Sequence, residues 1–369
     1  PGRLPAGGLM TSRILVVMVT YNAEVFVTRA LDSLRSQTLA GQFDTRIVDN
    51  ASCDGTVEVV TSRYPEAELI ASPVNLGFAA GNNRAFLQVL DRYDMVVLLN
   101  SDAIASPTFL QSLVEHMEGA GERVAAVTAR VRLAARFRHA VDGEVPQVVG
   151  PEGAYCEDPA GDVRLLNSTG NIVLDDGYGV DRSWLIEDGE GVMDRPDQVF
   201  GLCGAAVAIR STALREVGGF DERLFLYYED TDLSWRLRLQ GWSIEYCPTA
   251  VVDHIHSAST SEGSELFRFY NERNRLLVLA KNSTWPRILR AWLRFPLSTA
   301  SLRWRRHAPR SIWGVRRRAY RSALGLLPGV LRTRWSIRPR TSRRAVEGLI
   351  PRTRADASLG AQQGQTRLA

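Results

Sequence analysis

The sequence predicts an α/β fold, a mostly parallel sheet flanked by helices, followed by a basic helical C-terminal extension. Three observations carry this. Short unbroken apolar runs alternate with helical patterns over the first hundred residues, a polar cluster ends each run, and the charge changes sign near residue 280. Continuous apolar strands joined by helices imply a parallel sheet covered on both faces and closed by right-handed crossovers.

The elements follow in order. "RILVVMVTY" (13–21) reads as a buried strand, "TRALDSLRSQ" (28–37) has helical spacing, and "DTRIVDN" (44–50) and "GTVEVVTSRY" (55–64) repeat the pair. "AELIASP" (67–73) is a third strand, "GNNRAFLQVLDRY" (81–93) a third helix and "DMVVLLNSDA" (94–103) a fourth strand. From about 130 to 200 the chain reads as irregular, rich in Gly, Asp and Pro, and long loops of this kind are commonly functional. "YYEDTDLSWRLRLQ" (227–240) reads as a helix with acids in its first turn and arginines near its end, as the helix dipole favours.

Composition narrows the classes. A chain of 369 residues with 45% hydrophobic residues can bury a sizeable core. Its four cysteines show no CxxC pair, which indicates neither a disulfide scaffold nor a zinc ribbon. No apolar stretch approaches the roughly 20 residues of a spanning helix, and the start lacks a secretory pattern, so a cytoplasmic protein is expected, with Met10 as a candidate natural start. Residues 281–369 hold 21 Lys and Arg against Glu347 and Asp356, leaving 24 basic and 39 acidic residues before them. Five of eight tryptophans also lie in this tail, so a boundary is expected near 280: a catalytic domain over 11–280, then a Trp/Arg-rich segment over 281–369, disordered from about 340.

Ligands of open α/β sheets lie outside the carboxyl ends of the strands. Those ends carry Thr20, Tyr21 and Asn22; Asp49 and Asn50; Asn75 to Phe78; and Asn100, Ser101 and Asp102. Neither the dinucleotide fingerprint nor a P-loop follows the first strand, which argues against a dehydrogenase and a P-loop NTPase.

"VVMVTYN", "IVDNASCDGT", "NLGFAAGNNRA", "LLNSDA", "GLCGAAVAIR", "VGGFDERLFLYYEDTDLSWRLRLQGW" and "AVVDHIHSAS", in that order and spacing, resemble the inverting family 2 glycosyltransferases of GT-A fold, above all the bacterial branch of rhamnosyl and galactofuranosyl transferases. The resemblance covers about residues 13–280. It implies a nucleotide-sugar donor, with dTDP-rhamnose or UDP-galactofuranose favoured, and a lipid-linked or glycan acceptor in cell-envelope synthesis. Where many GT-A enzymes have Asp-x-Asp, this chain has Asn100-Ser101-Asp102. That departure bears on the strength of metal dependence.

The chemistry assigns roles. Breaking the bond to a diphosphate builds negative charge that Mg²⁺ or Mn²⁺ stabilises, and such an ion accepts one carboxylate and an imidazole beside water and phosphate. Asp102 is the carboxylate, and the resemblance places a metal or diphosphate ligand at His254, with His256 competing. Inversion needs a base opposite the leaving group. The resemblance makes Glu229-Asp230 the Glu-Asp motif with Asp230 as base, and two adjacent acids raise one another's pKa. Asp232 is assigned to the helix start, and Trp235 either stacks on an acceptor sugar or packs in the core, with Gly204 on the same acceptor side. Asp49 suits the N3–H of uracil or thymine, with Thr20, Tyr21 and Asn22 lining that pocket; Gly77 and Gly81 permit close approach beside Asn75, Phe78, Asn83 and Ser101; Arg273 reaches the diphosphate or is a helix-face charge.

The tail interleaves aromatics and leucines with arginine, which suits helices at an anionic membrane surface and puts the enzyme at the inner face of the cell membrane. RNA binding is the runner-up for this segment, although no nucleic acid partner is expected overall. The competing functions are a sugar nucleotidyltransferase, against which the absence of a Gly-rich triphosphate loop argues, and a non-catalytic basic adaptor, for which Asp102 and Asp230 would be dispensable.

Overall fold

In the computed structural model, residues 12–255, 264–302 and 310–351 are described. His256 and the stretch beyond 351 lie outside them, as do residues 1–11 with the candidate start.

The central sheet has ten strands among the described residues: β1 Ile14–Thr20, β2 Phe43–Asp49, β3 Glu68–Ala71, β4 Met95–Leu99, β5 Ala103–Ala105, β6 Val124–Leu133, β7 Leu166–Ser168, β8 Asp197–Gln198, β9 Ala206–Arg210 and β10 Ser243–His254. Their order along the sheet is β8-β10-β6-β9-β4-β1-β2-β3, with β7 beside β6 and β5 beside β10. The first four strands are parallel, and β1 lies between β2 and β4, so the chain reverses its direction of travel across the sheet there. The crevice over such a switch point is where α/β sheets bind ligands.

The expected mostly parallel sheet is in fact mixed, because β9 runs antiparallel to both β4 and β6. The cause is the segment between β6 and β9. It adds β7 beside β6, a hairpin pairing Asn171–Val173 with Gly179–Asp181, and β8 beside β10, and β9 then enters the sheet from the carboxyl edge. The span read as irregular is thus partly ordered strand.

Helices α1 Glu24–Arg35, α2 Thr56–Arg63, α3 Gly77–Phe86, α4 Phe109–Gly119, α5 Ser211–Val217 and α6 Glu229–Leu239 flank the sheet. Val16, Met18, Ile47, Val97 and Leu99 pack toward α1 and α4, while Leu15, Val17, Val96, Leu98 and Ile209 pack toward α3 and α6. This alternation is the period-two face pattern of strands buried on both sides.

The basic region is not a detached arm. α7 Glu265–Asn282 continues into α8 Trp285–Ser301, α9 Arg310–Ser336 and α10 Arg343–Glu347. Trp235, Leu276, Ile288, Trp292, Phe295, Val330, Val346 and Ile350 share one core. Residues 340–351, expected to be disordered, hold α10 and contribute Val346 and Ile350 to that core, because these two apolar side chains find a surface against α6 and α7. All four cysteines are free.

Candidate active site

The carboxyl ends of β1 and β2 are locked together. Thr20 and Asp49 face one another across the ladder, and the Thr20 hydroxyl donates to Asp49 Oδ1 at 2.8 Å. The Ser52 hydroxyl and amide also donate to Asp49, and the Asn22 amide donates to Ser52 Oγ. Asn22 and Ala51 both carry positive φ. Asp49 is thereby buried and organises the loop, while the Tyr21 ring and Asn75 stand exposed at the same edge.

Next along the edge lie Asn100, Ser101 and Asp102 after β4, and His254 at the end of β10. The ladder pairs His254 with Ala103, and this brings His254 Nε2 to 3.1 Å from Asp102 Oδ1 and 3.4 Å from the Asn100 amide. His254 Nδ1 meets Asn167 Oδ1 at 2.7 Å. With Nδ1–H donating to Asn167, Nε2 presents its lone pair beside the carboxylate, which is the arrangement that readies an imidazole for a cation. No group of three or more His, Cys, Asp and Glu suited to a metal occurs among the described residues. The donor set therefore fits an ion that takes few protein ligands and completes its shell with water and phosphate. His256, the rival, falls outside the described residues.

The acidic pair forms the second group. Glu229 and Asp230 open α6 directly after a loop in which Phe225, Tyr227 and Tyr228, none of them glycine, have φ of 65°, 66° and 69°. Such conformations cost of order 1–3 kcal/mol each and persist only where surroundings impose them. Here α7 imposes them: the fully buried Asn274 amide donates to the carbonyls of Leu224, Leu226 and Tyr227 at 2.9, 2.9 and 2.7 Å. Phe225 stacks on Tyr270, and its carbonyl accepts from Phe78 N at 2.8 Å, which ties this loop to the start of α3.

Burial raises the pKa of half-buried Asp230 even though the Thr231 and Gly204 amides donate to it. Glu229 is pushed well above the usual carboxylate range by burial and then by the Asp230 charge, and its Oε2 is buried without a hydrogen-bond partner. Gly204 lies between Phe78 and Asp230: a Cβ built there would sit 3.4 Å from the Phe78 ring and 3.7 Å from Asp230 Cβ.

Several expected site residues serve other ends. Asn83 is buried, with its amide nitrogen on Phe220 O and Glu222 and its oxygen on Phe220 N, so it pins the 220–222 turn and has no face for a nucleotide. Gly77 (φ +78°) is indeed needed for close approach, but to Phe225, whose ring and carbonyl lie 2.5 Å from any Cβ built there; a Cβ at Gly81 would press on Val19. Trp235 is fully buried edge-on to Phe200, which excludes stacking on a sugar. Arg273 is buried under Tyr270 and donates to the carbonyls of Arg223 and Leu224, clamping the acidic loop from below rather than reaching toward a diphosphate. Asp232 lies in the first turn of α6 as expected, and it is fully buried there against Arg236, Lys281 and Asn282.

Asn167 and Asn274 were not found from the sequence. Asn167 sits in the span read as irregular. Asn274 lies in "RFYNERNRL", where a helical polar residue looks like surface, and the signal available was its place one residue after Arg273 beside a Leu-rich run.

The model described as Glycosyl transferase family 2 matches residues 15–145, and one described as Glycosyltransferase like family 2 matches residues 190–275, together more than half of the chain. An N-acetylglucosaminyl-diphospho-decaprenol L-rhamnosyltransferase of Mycobacterium tuberculosis is 28% identical over 305 residues, covering 79% of this chain and 92% of that protein. Rhamnosyltransferase WbbL of Escherichia coli is 23% identical over 265 residues, 70% of this chain and 89% of its own. Among solved structures, that of GalNAc-T7 with UDP, GalNAc and Mn²⁺ has a TM-score of 0.54 at 12% identity over 89% of this chain, which spans 59% of that structure's length; the likeness is one of fold.

Proposed function

Because the chain belongs to glycosyltransferase family 2 and resembles its rhamnosyltransferases, we propose that it is an inverting enzyme that moves a sugar, with dTDP-rhamnose favoured over UDP-galactofuranose, onto a lipid-linked acceptor of cell-envelope glycan synthesis. The observation that carries this reading is the placement of two chemically different groups on one sheet edge: a carboxylate–imidazole pair, Asp102 and His254, and a buried acid pair, Glu229 and Asp230, with Gly204 beside the latter. The printed name of the mycobacterial relative, a rhamnosyl transfer to a diphospho-decaprenol acceptor, favours the donor and acceptor classes.

Asp230 takes the proton from the acceptor hydroxyl as its oxygen attacks the anomeric carbon, while the bond to the nucleoside diphosphate breaks and the electron pair leaves with phosphate. Its raised pKa makes it a better proton acceptor than an ordinary aspartate. Glu229 holds the start of α6, and burial together with the Asp230 charge pushes its own carboxyl toward the protonated form. Asp102 and His254 are the ligands for Mg²⁺ or Mn²⁺, with Asn167 fixing the ring; when bound, such an ion supplies Lewis-acid stabilisation to the diphosphate. Tyr21 and Asn22 form the nucleoside side, on the loop that the buried Thr20–Asp49 bond holds, with Asn75, Phe78 and Ser101 continuing toward the sugar.

No helix among the described residues is long and apolar enough to cross a membrane, and we assign the basic helices 281–351 to the anionic inner face of the membrane, where a lipid-linked acceptor resides. Incubating the purified chain and Mg²⁺ with a panel of sugar nucleotides and a polyprenyl-diphosphate-linked sugar tests the function. Transfer from dTDP-rhamnose is expected; synthesis of a sugar nucleotide from a nucleoside triphosphate instead would replace this reading with that of a nucleotidyltransferase.

A further inference from the structure

α8 carries two apolar faces. One, Ile288, Trp292 and Phe295, is buried against α7 and α9. The other points outward: Trp285, Leu289, Leu293 and Leu297 are 48, 56, 65 and 71% exposed and follow one another at four-residue spacing, which sets them in one stripe along the helix. Water-facing helix positions are ordinarily polar, and a contiguous apolar stripe marks a contact surface.

A second side of α8, reached from the stripe through Arg290 and Arg294, borders a cleft of about 300 Å³ lined by Arg275, Arg287, Arg290, Arg294 and Arg316 against Asp175 and Asp176. Asp175 is shared by Arg287 and Arg290, and Arg316 pairs with Glu272. Arg275 is 6% exposed, and its Nε, like Nη1 of Arg287, is buried with no hydrogen-bond partner. Buried guanidinium donors left without acceptors are costly unless an anion reaches them.

We infer that this face of α8 docks on an anionic phospholipid bilayer, with the Trp285–Leu297 stripe entering the acyl boundary and the arginine cleft taking a headgroup phosphate. Charge complementarity selects this occupant: the chain from 281 onward holds 21 Lys and Arg against two acids, and apolar stripes flanked by arginine lie in the plane of the bilayer interface. The inference deepens the membrane part of the proposed function and rests on it for its biological sense, but the docking face is testable apart from catalysis.

The test is co-sedimentation of the full chain with phosphatidylglycerol and with phosphatidylcholine vesicles, for the parent, a Leu289→Gln/Leu293→Gln variant and an Arg290→Gln/Arg294→Gln variant. These four side chains are exposed, so melting temperatures should match the parent's. The expected result is binding to phosphatidylglycerol vesicles that falls at least tenfold in either variant, and weak binding to phosphatidylcholine. Undiminished binding of the leucine variant would overturn the docking face and assign binding to charge elsewhere. Equal binding to both lipids would overturn the selection of an anionic surface. Displacement of vesicles by millimolar inorganic phosphate, with the leucine variant unaffected, would replace it by a free-phosphate site. Transfer to a water-soluble acceptor separates the two readings: a leucine variant that loses vesicles but keeps soluble transfer supports docking, and absence of transfer in every protein would count against the enzymatic reading alone.

Discussion

The Lys281 ammonium lies 2.8 Å from Asp232 Oδ1, and both residues are almost completely shielded from water. Lys281 also pairs with Asp221, which Arg223 holds at 2.7 Å, while Arg236 reaches Asp232 at 2.7 Å. This buried network joins the turn before the acidic loop, α6 and the end of α7. It fixes the base of the helix on which Glu229 and Asp230 stand.

Removing one partner from a buried pair leaves an uncompensated charge, at a cost of about 3–5 kcal/mol. Asp232→Ala should lose stability of that order in urea denaturation, several times the loss expected of an exposed helix-start acid. Although burial alone would raise both carboxyls, Lys281 with Arg236 at Asp232, and Lys281 with Arg223 at Asp221, hold them below the usual range. Their stabilisation is complete above the unfolded value of about 4 and is lost as pH falls through the depressed values. The urea midpoint of the parent should therefore drop steeply below pH 4, and that of Asp232→Ala less so.

Glu229 has the opposite sign. Its folded pKa is raised, so the folded state is favoured with the proton on and loses stability as pH rises from about 4 through the raised value. Glu229→Gln removes that penalty. Thermal melts should show the variant more stable than the parent at pH 8, with the gap closing toward pH 4, while its transfer activity falls; equal stability at pH 8 would mean the carboxylate is not strained by burial.

Asn167→Leu tests the imidazole's support. Losing the partner of a metal-binding histidine typically weakens metal affinity 10–100-fold. Titration of Mn²⁺ in the presence of a nucleoside diphosphate should show that loss, with nucleotide affinity in the absence of metal unchanged. Unaltered Mn²⁺ affinity would remove Asn167, and with it the assigned tautomer of His254, from the account.

Asn274 acts through the loop it holds. Asn274→Ala takes this donor from the Leu226 and Tyr227 carbonyls, leaves Leu224 O to Arg273, and frees a backbone kept at positive φ. The expected result is a lowered kcat with donor KM nearly unchanged and a shift in the acidic limb of the kcat profile, because Asp230 no longer sits in a fixed environment. A loss of stability alone, with that limb unmoved, would reduce Asn274 to a packing role.

How far the sequence led can be judged from particular residues. β1, β2 and β4 were legible because unbroken apolar runs such as 14–20 and 95–99 have one physical explanation in a chain that alternates with helices. Asp102 was singled out because it follows a strand end, whereas His254 and Asp230 were assigned through the resemblance; the structure brings Asp102 and His254 together. β9 was not read as a strand, and its direction was beyond the sequence, since nothing local tells a strand which edge it enters from; that depends on the excursion after β6. Asn83, Trp235 and Arg273 misled for a shared reason: amides, indoles and guanidiniums suit ligands, but they equally suit buried carbonyls and cores, and only tertiary contacts distinguish the two. Residues 281–351 were read as helices for a membrane surface, and their buried face went unread because their apolar positions count for nothing until α7 supplies a surface for Trp292 and Phe295.

The central claim is that Asp230 accepts the acceptor's proton, and single-turnover transfer by Asp230→Asn measures it most directly. Asparagine keeps the side chain's size and its hydrogen bond from Thr231 N but cannot take the proton. Transfer should fall by roughly 10²–10⁴, the range of a general base, while the affinity for the nucleotide-sugar donor stays at the parent's value. Transfer at near the parental rate, or a fall matched by lost donor binding, would contradict the account and send the search for the base elsewhere on this edge.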